Sequence, residues 1–187
     1  GYIGESKKPI LTYQLITKLF EKSESRGIDA AGFWGTESGK NGNVLYHKEP
    51  VESSFFVKKP LWKKVAKHNP NLLLVHARGA SKGVGEPCVN SNNHPFTSWD
   101  KSIGLIHNGR VDEYEYQTLK QKYDDFQSEC DSEILLKIFE SGEIYSKEEL
   151  SIFGEAEFPE RLAGIRDIYS LINKGHMAVA IGERLSE

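Results

Sequence analysis

The stretch NLLLVHARGAS, residues 71–81, decides how this chain folds. Leu72 to Val75 are continuously apolar, as in a strand buried on both faces, and polarity returns only at His76 and Arg78. An unpaired guanidinium beside a core is costly, so Arg78 calls for a function that an ordinary surface arginine does not. A second stretch, SIGLIHNG at 102–109, has the same character: Ile103, Leu105 and Ile106 run straight into His107, Asn108 and Gly109. Two core strands that both end in polar groups predict a shared sheet edge, where sites are commonly built.

Outward from these strands the pattern is mixed. Ile10, Leu11, Leu15, Ile16, Leu19 and Phe20 recur at helical spacing, and Pro9 suits a first turn, so Pro9 to Ser23 reads as an amphipathic helix. A turn follows at Arg26 and Gly27, then a short strand from Ala31 to Trp34 and another over 43–48. Helices are predicted over 61–68, 112–123, from near Ser128–Asp131 through Phe139, and over 158–173, with a closing strand at 176–182. There is no regular βαβ alternation, so the class is α+β, with helices layered against sheet.

The 187 residues, 38% hydrophobic and 27% charged, suit one soluble domain with a substantial core. No apolar run approaches the roughly 18 to 20 residues of a membrane span, and no signal-peptide pattern opens the chain, which makes a cytoplasmic location the expectation. A net charge of -3 and a pI near 6.1 argue against nucleic acid. The cluster Lys58, Lys59, Lys63, Lys64 and Lys67 reads as the solvated face of a short helix. Cys88 and Cys130 form no CxxC pair, so neither a disulfide framework nor a zinc knuckle is indicated, and Cys130 reads as a small buried hydrophobe.

The chemistry concentrates in HARGAS (76–81), HNG (107–109) and ECDSE (129–133). Arg78 can grip a carboxylate with two parallel charge-assisted hydrogen bonds, and Asp131 can hold an ammonium, a pair that fits the α-groups of an amino acid. Asn108 offers an NH2 donor and Gly109 an unobstructed backbone N–H, together capable of an oxyanion hole. Plainer readings stand beside these. Asn-Gly at a strand end is commonly a turn, and Asp131, with Ser128 competing, is a good helix N-cap. His76, His94 and His107 show neither HxxxH nor HxH spacing, so neither a metal nor another cofactor is expected.

Six segments in order, GYIGE at 1–5, SRGIDAAG at 25–32, HARGAS with the following Gly83, NSNNHPF at 90–96, GLIHNG at 104–109 and CDSEIL at 130–135, resemble the glutaminase domain of class II glutamine amidotransferases, which are N-terminal-nucleophile hydrolases. The resemblance implies a four-layer αββα sandwich for residues 1–187 as a single glutaminase domain. It implies hydrolysis of L-glutamine to glutamate and ammonia, with the ammonia passed to a synthase domain or partner subunit. By position, Arg78 matches the residue that binds the substrate α-carboxylate, Asp131 the one that takes its ammonium, and Asn108 with Gly109 the oxyanion pair. Ser81 matches a residue lining the glutamine site, while Arg26, Gly27 and His107 fall at supporting positions.

Family members begin, after processing, with a cysteine in a CGxxG pattern, whereas this sequence begins at Gly1. The resemblance places the nucleophile either immediately before Gly1 or four residues earlier, as CGxxGYIG, and predicts further strands beyond MAVAIGERLSE. Two alternatives stay open: a non-catalytic glutamine-binding or regulatory domain, and an amide hydrolase of the same type acting on another substrate.

Overall fold

In a computed structural model, residues 1–4, 6–37, 42–81, 84–141, 146–172 and 177–184 are described. The chain forms β1 (Tyr2–Ile3), α1 (Pro9–Ser23), β2 (Ala30–Thr36), β3 (Val44–Glu49), α2 (Ser53–Phe56), α3 (Pro60–His68), β4 (Leu72–Arg78), β5 (Phe96–Thr97), β6 (Ile103–Asn108), α4 (Glu113–Lys120), α5 (Ser132–Glu140), α6 (Lys147–Leu150), α7 (Pro159–Ile172) and β7 (Ala178–Glu183). The α+β class therefore holds. Gly83 and the outer ends of the predicted segments at 173 and 176 lie outside the described residues. Two compact units are distinguished. The first comprises Gly1–Ile106, Gln127–Cys130 and Val179–Glu187; the second comprises His107–Phe126 and Asp131–Ala178.

In the first unit an antiparallel sheet runs in the order β1-β4-β2-β3. Strand side chains alternate between faces, and Phe33, Leu73, Val75 and Ala77 turn to the helix side, where they meet Phe20, Phe56, Trp62 and Val65. Ring centroids among Phe20, Phe33, Phe56 and Trp62 lie 5.2 to 6.4 Å apart, mostly edge-on or tilted, the arrangement that the aromatic quadrupole favours. Trp62 remains compatible with this core because its indole N–H donates to Thr17 Oγ1 at 3.0 Å. On α1 the inward stripe is Tyr13, Ile16 and Phe20. Leu11, Leu15 and Leu19, predicted from spacing to share the apolar face, are 58%, 58% and 60% exposed instead.

The opposite face of this sheet meets a second one, ordered β5-β6-β7. Trp34 is the wedge between them. A Cβ on Gly104 of β6 would stand 2.3 Å from its ring, and one on Gly182 of β7 would stand 2.5 Å from it, so both strands need glycine where they cross the indole. The indole N–H donates to the Lys101 carbonyl at 2.9 Å, which ties the β5–β6 turn to the first sheet. Helix, sheet and sheet thus form three layers within this unit. The shared edge predicted for the 71–81 and 102–109 strands is incorrect: β4 and β6 belong to different sheets, each with its own antiparallel neighbours, and similar burial does not make two strands partners.

In the second unit α7 packs on α5. Gly164 permits the approach, since a Cβ there would meet the Ile138 carbonyl at 3.1 Å and Phe139 Cα at 3.2 Å. Arg161 donates to the Phe139 carbonyl at 2.9 Å while its guanidinium lies 5.0 Å from that ring's centroid. Helix α4 starts on Asp112, whose carboxylate accepts from the Tyr114 and Glu115 N–H groups at 3.0 and 3.3 Å; it ends at Lys120, short of the predicted 123.

Candidate functional site

Arg78 is the last residue of β4, on the face that looks away from the aromatic core, and is 4% exposed. Its Nη1 donates to Asn93 Oδ1 at 2.7 Å, and its Nη2 donates to the carbonyls of Val84 at 2.7 Å and Gly85 at 2.9 Å. Every one of these acceptors is neutral. Among the described residues no carboxylate lies within ion-pair distance of the guanidinium, so a buried positive charge is solvated by dipoles alone. That is an expensive arrangement unless an anion completes it. Both planar forks of a guanidinium use Nη2, so a carboxylate taken in the two-pronged geometry displaces one of the Val84 and Gly85 carbonyls.

The Arg26–Gly27 turn packs directly on this strand end. A Cβ on Gly27 would stand 2.0 Å from the Gly79 nitrogen and 2.2 Å from the Arg78 carbonyl carbon, so only glycine allows the two backbones to cross. Asp29 holds the crossing from both sides: its N–H donates to the Arg78 carbonyl at 3.0 Å and its carboxylate accepts from the Ala80 N–H at 2.7 Å. Arg26 itself is exposed, as is Ser81, whose carbonyl accepts from the Val84 N–H at 3.2 Å.

In the second unit the chain leaves β6 through His107, Asn108 and Gly109. His107 is 3% exposed and Val111 1%, whereas Asn108, Gly109 and Arg110 between them are exposed. Gly109 has φ 138, backbone that disfavours any side chain, and Asn108 is the last residue of β6, so the exposed pair projects from a strand end and not from a regular turn. Asp131, 6% exposed, accepts from the Val111 N–H through Oδ2 at 2.7 Å. It precedes α5 but makes no side-chain cap there, so the simple N-cap reading fails. Ser128, the rival cap, accepts from the Cys130 N–H at 3.2 Å instead. His107 Nδ1 lies 2.8 Å from Ser132 Oγ. Burial pushes the His107 imidazole below its ordinary pKa of 6.5, with the Asp131 carboxylate pulling the other way.

No protein-family model matches the chain. Curated relatives do. The chain is 30% identical over 154 residues to the glutamine–fructose-6-phosphate aminotransferase (isomerizing) of Bacteroides thetaiotaomicron, covering 80% of this chain and 23% of that protein. It is 27% identical over 199 residues to the enzyme of the same name from Lactiplantibacillus plantarum, covering 98% of the chain and 31% of the relative, and 30% identical over 137 residues to that of Aquifex aeolicus, covering 72% and 21%. Over most of its length this chain is similar to glutamine amidotransferases of class II. It spans 21 to 31% of the length of these relatives.

Sequence reasoning missed the residues that contact the named ones. Asn93, fully buried, accepts from Arg78 and donates through Nδ2 to the Pro87 carbonyl at 2.8 Å. Asn92 spans the same loop, donating to the Glu86 carbonyl at 3.1 Å and accepting from the Glu129 N–H at 2.9 Å. Lys48 on β3 donates to the carbonyls of Ser91 and Asn93 and stands 4.9 Å over the Phe96 ring. A signal was available in NSNNHPF: adjacent amides beside a predicted buried arginine are the neutral acceptors it needs. Cys130 is 2% exposed, a small hydrophobe as expected, and Cys88 is exposed.

Proposed function

We propose that this chain is the glutaminase domain of a glutamine amidotransferase, binding L-glutamine and hydrolysing its side-chain amide to glutamate and ammonia. The observation that carries the reading is the buried Arg78 charge, solvated only by neutral oxygens among the described residues, in a chain whose relatives are glutamine-dependent aminotransferases by name. An α-carboxylate supplies the missing countercharge, and Asp131 takes the ammonium of the same substrate. Asn108 and the Gly109 N–H face the amide oxygen as it becomes an oxyanion.

The nucleophile in this reading is an N-terminal cysteine. A thiol of pKa about 8.5 is mostly protonated at neutral pH, and an α-amino group of pKa roughly 7.7 to 8.0 is a suitable base beside it. The thiolate attacks the amide carbon, the C–N bond breaks, and ammonia leaves with the proton taken from the thiol. Water then cleaves the thioester to give glutamate and restore the thiol. That cysteine stands either immediately before Gly1 or four residues earlier, in the CGxxGYIG spacing.

The reading extends to a four-layer αββα sandwich of the N-terminal-nucleophile type, a cytoplasmic location, and a synthase domain or partner subunit that accepts the ammonia. No helix among the described residues is long and apolar enough to cross a membrane. The test is to incubate the native full-length protein with L-glutamine, assay glutamate and ammonia, and determine its N-terminal residue by intact mass. Stoichiometric release from a chain starting with cysteine supports the reading. Glutamine binding without glutamate production supports a regulatory domain, and turnover of other amides in preference to glutamine supports a different hydrolase.

A further inference from the structure

We infer that His107 and Ser132 act together as positioning residues for the oxyanion donors, an inference that rests on the glutaminase reading above. Asn108 and Gly109 are exposed, Asn108 as the last residue of β6 and Gly109 at φ 138, a backbone conformation that side chains disfavour. What restrains them is a clamp at each end. Before them, the His107 ring, buried at 3% exposure, meets Ser132 Oγ at 2.8 Å. After them, the Val111 N–H donates to Asp131 Oδ2 at 2.7 Å.

Both anchors lie on adjacent residues at the start of α5, and Ser132 Oγ is itself 3.5 Å from Asp131 Oδ1. The short exposed segment is thus pinned on either side to one rigid helix terminus. A donor helps an oxyanion only if it is already aimed when charge develops, because reorienting it during the reaction consumes the stabilisation it provides. The Ser132 hydroxyl, which touches no substrate in this account, therefore acts on the rate through His107. The same clamp fixes the Asp131 carboxylate, so substrate grip and oxyanion donors share one origin of alignment.

The test uses Ser132→Ala and Ser132→Thr in the full-length native protein, since alanine is tolerated in the first turn of a helix and threonine keeps the hydroxyl. For Ser132→Ala, kcat with glutamine should fall on the order of 10- to 100-fold while KM stays within about twofold, as expected when a reacting group is misplaced rather than removed. Ser132→Thr should restore most of the rate. In parallel, ¹⁵N relaxation should show the Asn108 and Gly109 amide order parameters falling from roughly 0.85 toward 0.6 in Ser132→Ala alone. Unchanged kcat, or unchanged order parameters at these two amides, overturns the inference, as does a uniform loss of order across the chain. Should the parent protein release no glutamate, the glutaminase reading fails, while the relaxation measurement still decides whether the clamp holds the segment.

Discussion

The Arg78 guanidinium and the Asn93 side-chain carbonyl meet at 2.7 Å, with Arg78 4% exposed and Asn93 fully buried. A carboxylate in the place of that amide would neutralise the arginine from within. The chain instead supplies a neutral acceptor that orients the guanidinium without cancelling its charge. Asn93→Asp should therefore raise KM for glutamine by about tenfold or more, the equivalent of ~1.4 kcal/mol of competing ion pairing. Steady-state kinetics on the full-length protein measure it, and an unchanged KM would separate Arg78 from substrate binding.

Asn108→Ala removes one donor from the exposed end of β6 without touching the buried residues on either side. The expected result is a fall in kcat on the order of 10² to 10³ with KM nearly unchanged, because the donor acts on the oxyanion and hardly on the ground-state amide. A comparable rise in KM would mean that Asn108 holds substrate rather than transition state.

Gly27→Ala should unfold or severely destabilise the first unit, by about 3 kcal/mol or more. The penalty is steric and not conformational, since φ at Gly27 is 179 and any residue can adopt it; the new Cβ would strike the Gly79 nitrogen from 2.0 Å. Chemical denaturation, compared with Gly4→Ala, measures the effect. The Gly4 position has open space but a φ of 123, so it reports backbone strain without overlap.

His107 makes stability depend on pH in a defined direction. Burial lowers its folded pKa below 6.5, so above that value the ring is neutral in both states and contributes nothing to the difference. Below it the unfolded chain takes up a proton that the folded chain refuses, and stability is lost as pH falls from 6.5 towards the folded pKa. Glu37, held low by hydrogen bonds from His68 and Asn43, loses its contribution further down, as pH drops below 4.5. Thermal melts between about pH 7.5 and 5.5 should show a steeper decline for the parent than for His107→Gln; parallel curves would contradict the assignment.

Much of the fold was legible because helical and strand periods were strong: α1 begins and ends at Pro9 and Ser23 as spacing predicts, and β4 and β6 fall where the apolar runs lie. Pairing was not legible. Leu72–Val75 and Ile103–Ile106 look alike in sequence, and only the glycines opposite Trp34 distinguish facing sheets from one sheet, a relation that has no linear signature. The outward turn of Leu11, Leu15 and Leu19 was equally hidden, since a helix with apolar residues on two faces does not say which one the core takes. Among the candidate site residues, Arg78, Asp131, Asn108 and Gly109 carry recognisable chemistry in recognisable words. Asn93, Lys48 and Ser132 meet partners that are far away in the chain, and their residue types suit many ordinary positions.

The central claim is that one amino acid is gripped by both α-groups, its carboxylate by Arg78 and its ammonium by Asp131. Calorimetric titration of the native full-length protein with L-glutamine, with 4-aminobutanamide, which lacks the carboxylate, and with glutaramate, which lacks the ammonium, tests it directly. The account predicts measurable binding of glutamine and a loss of at least about 10²-fold in affinity for each analogue, as expected when a buried charged partner is left unmatched. Equal affinity for glutamine and either analogue would contradict it.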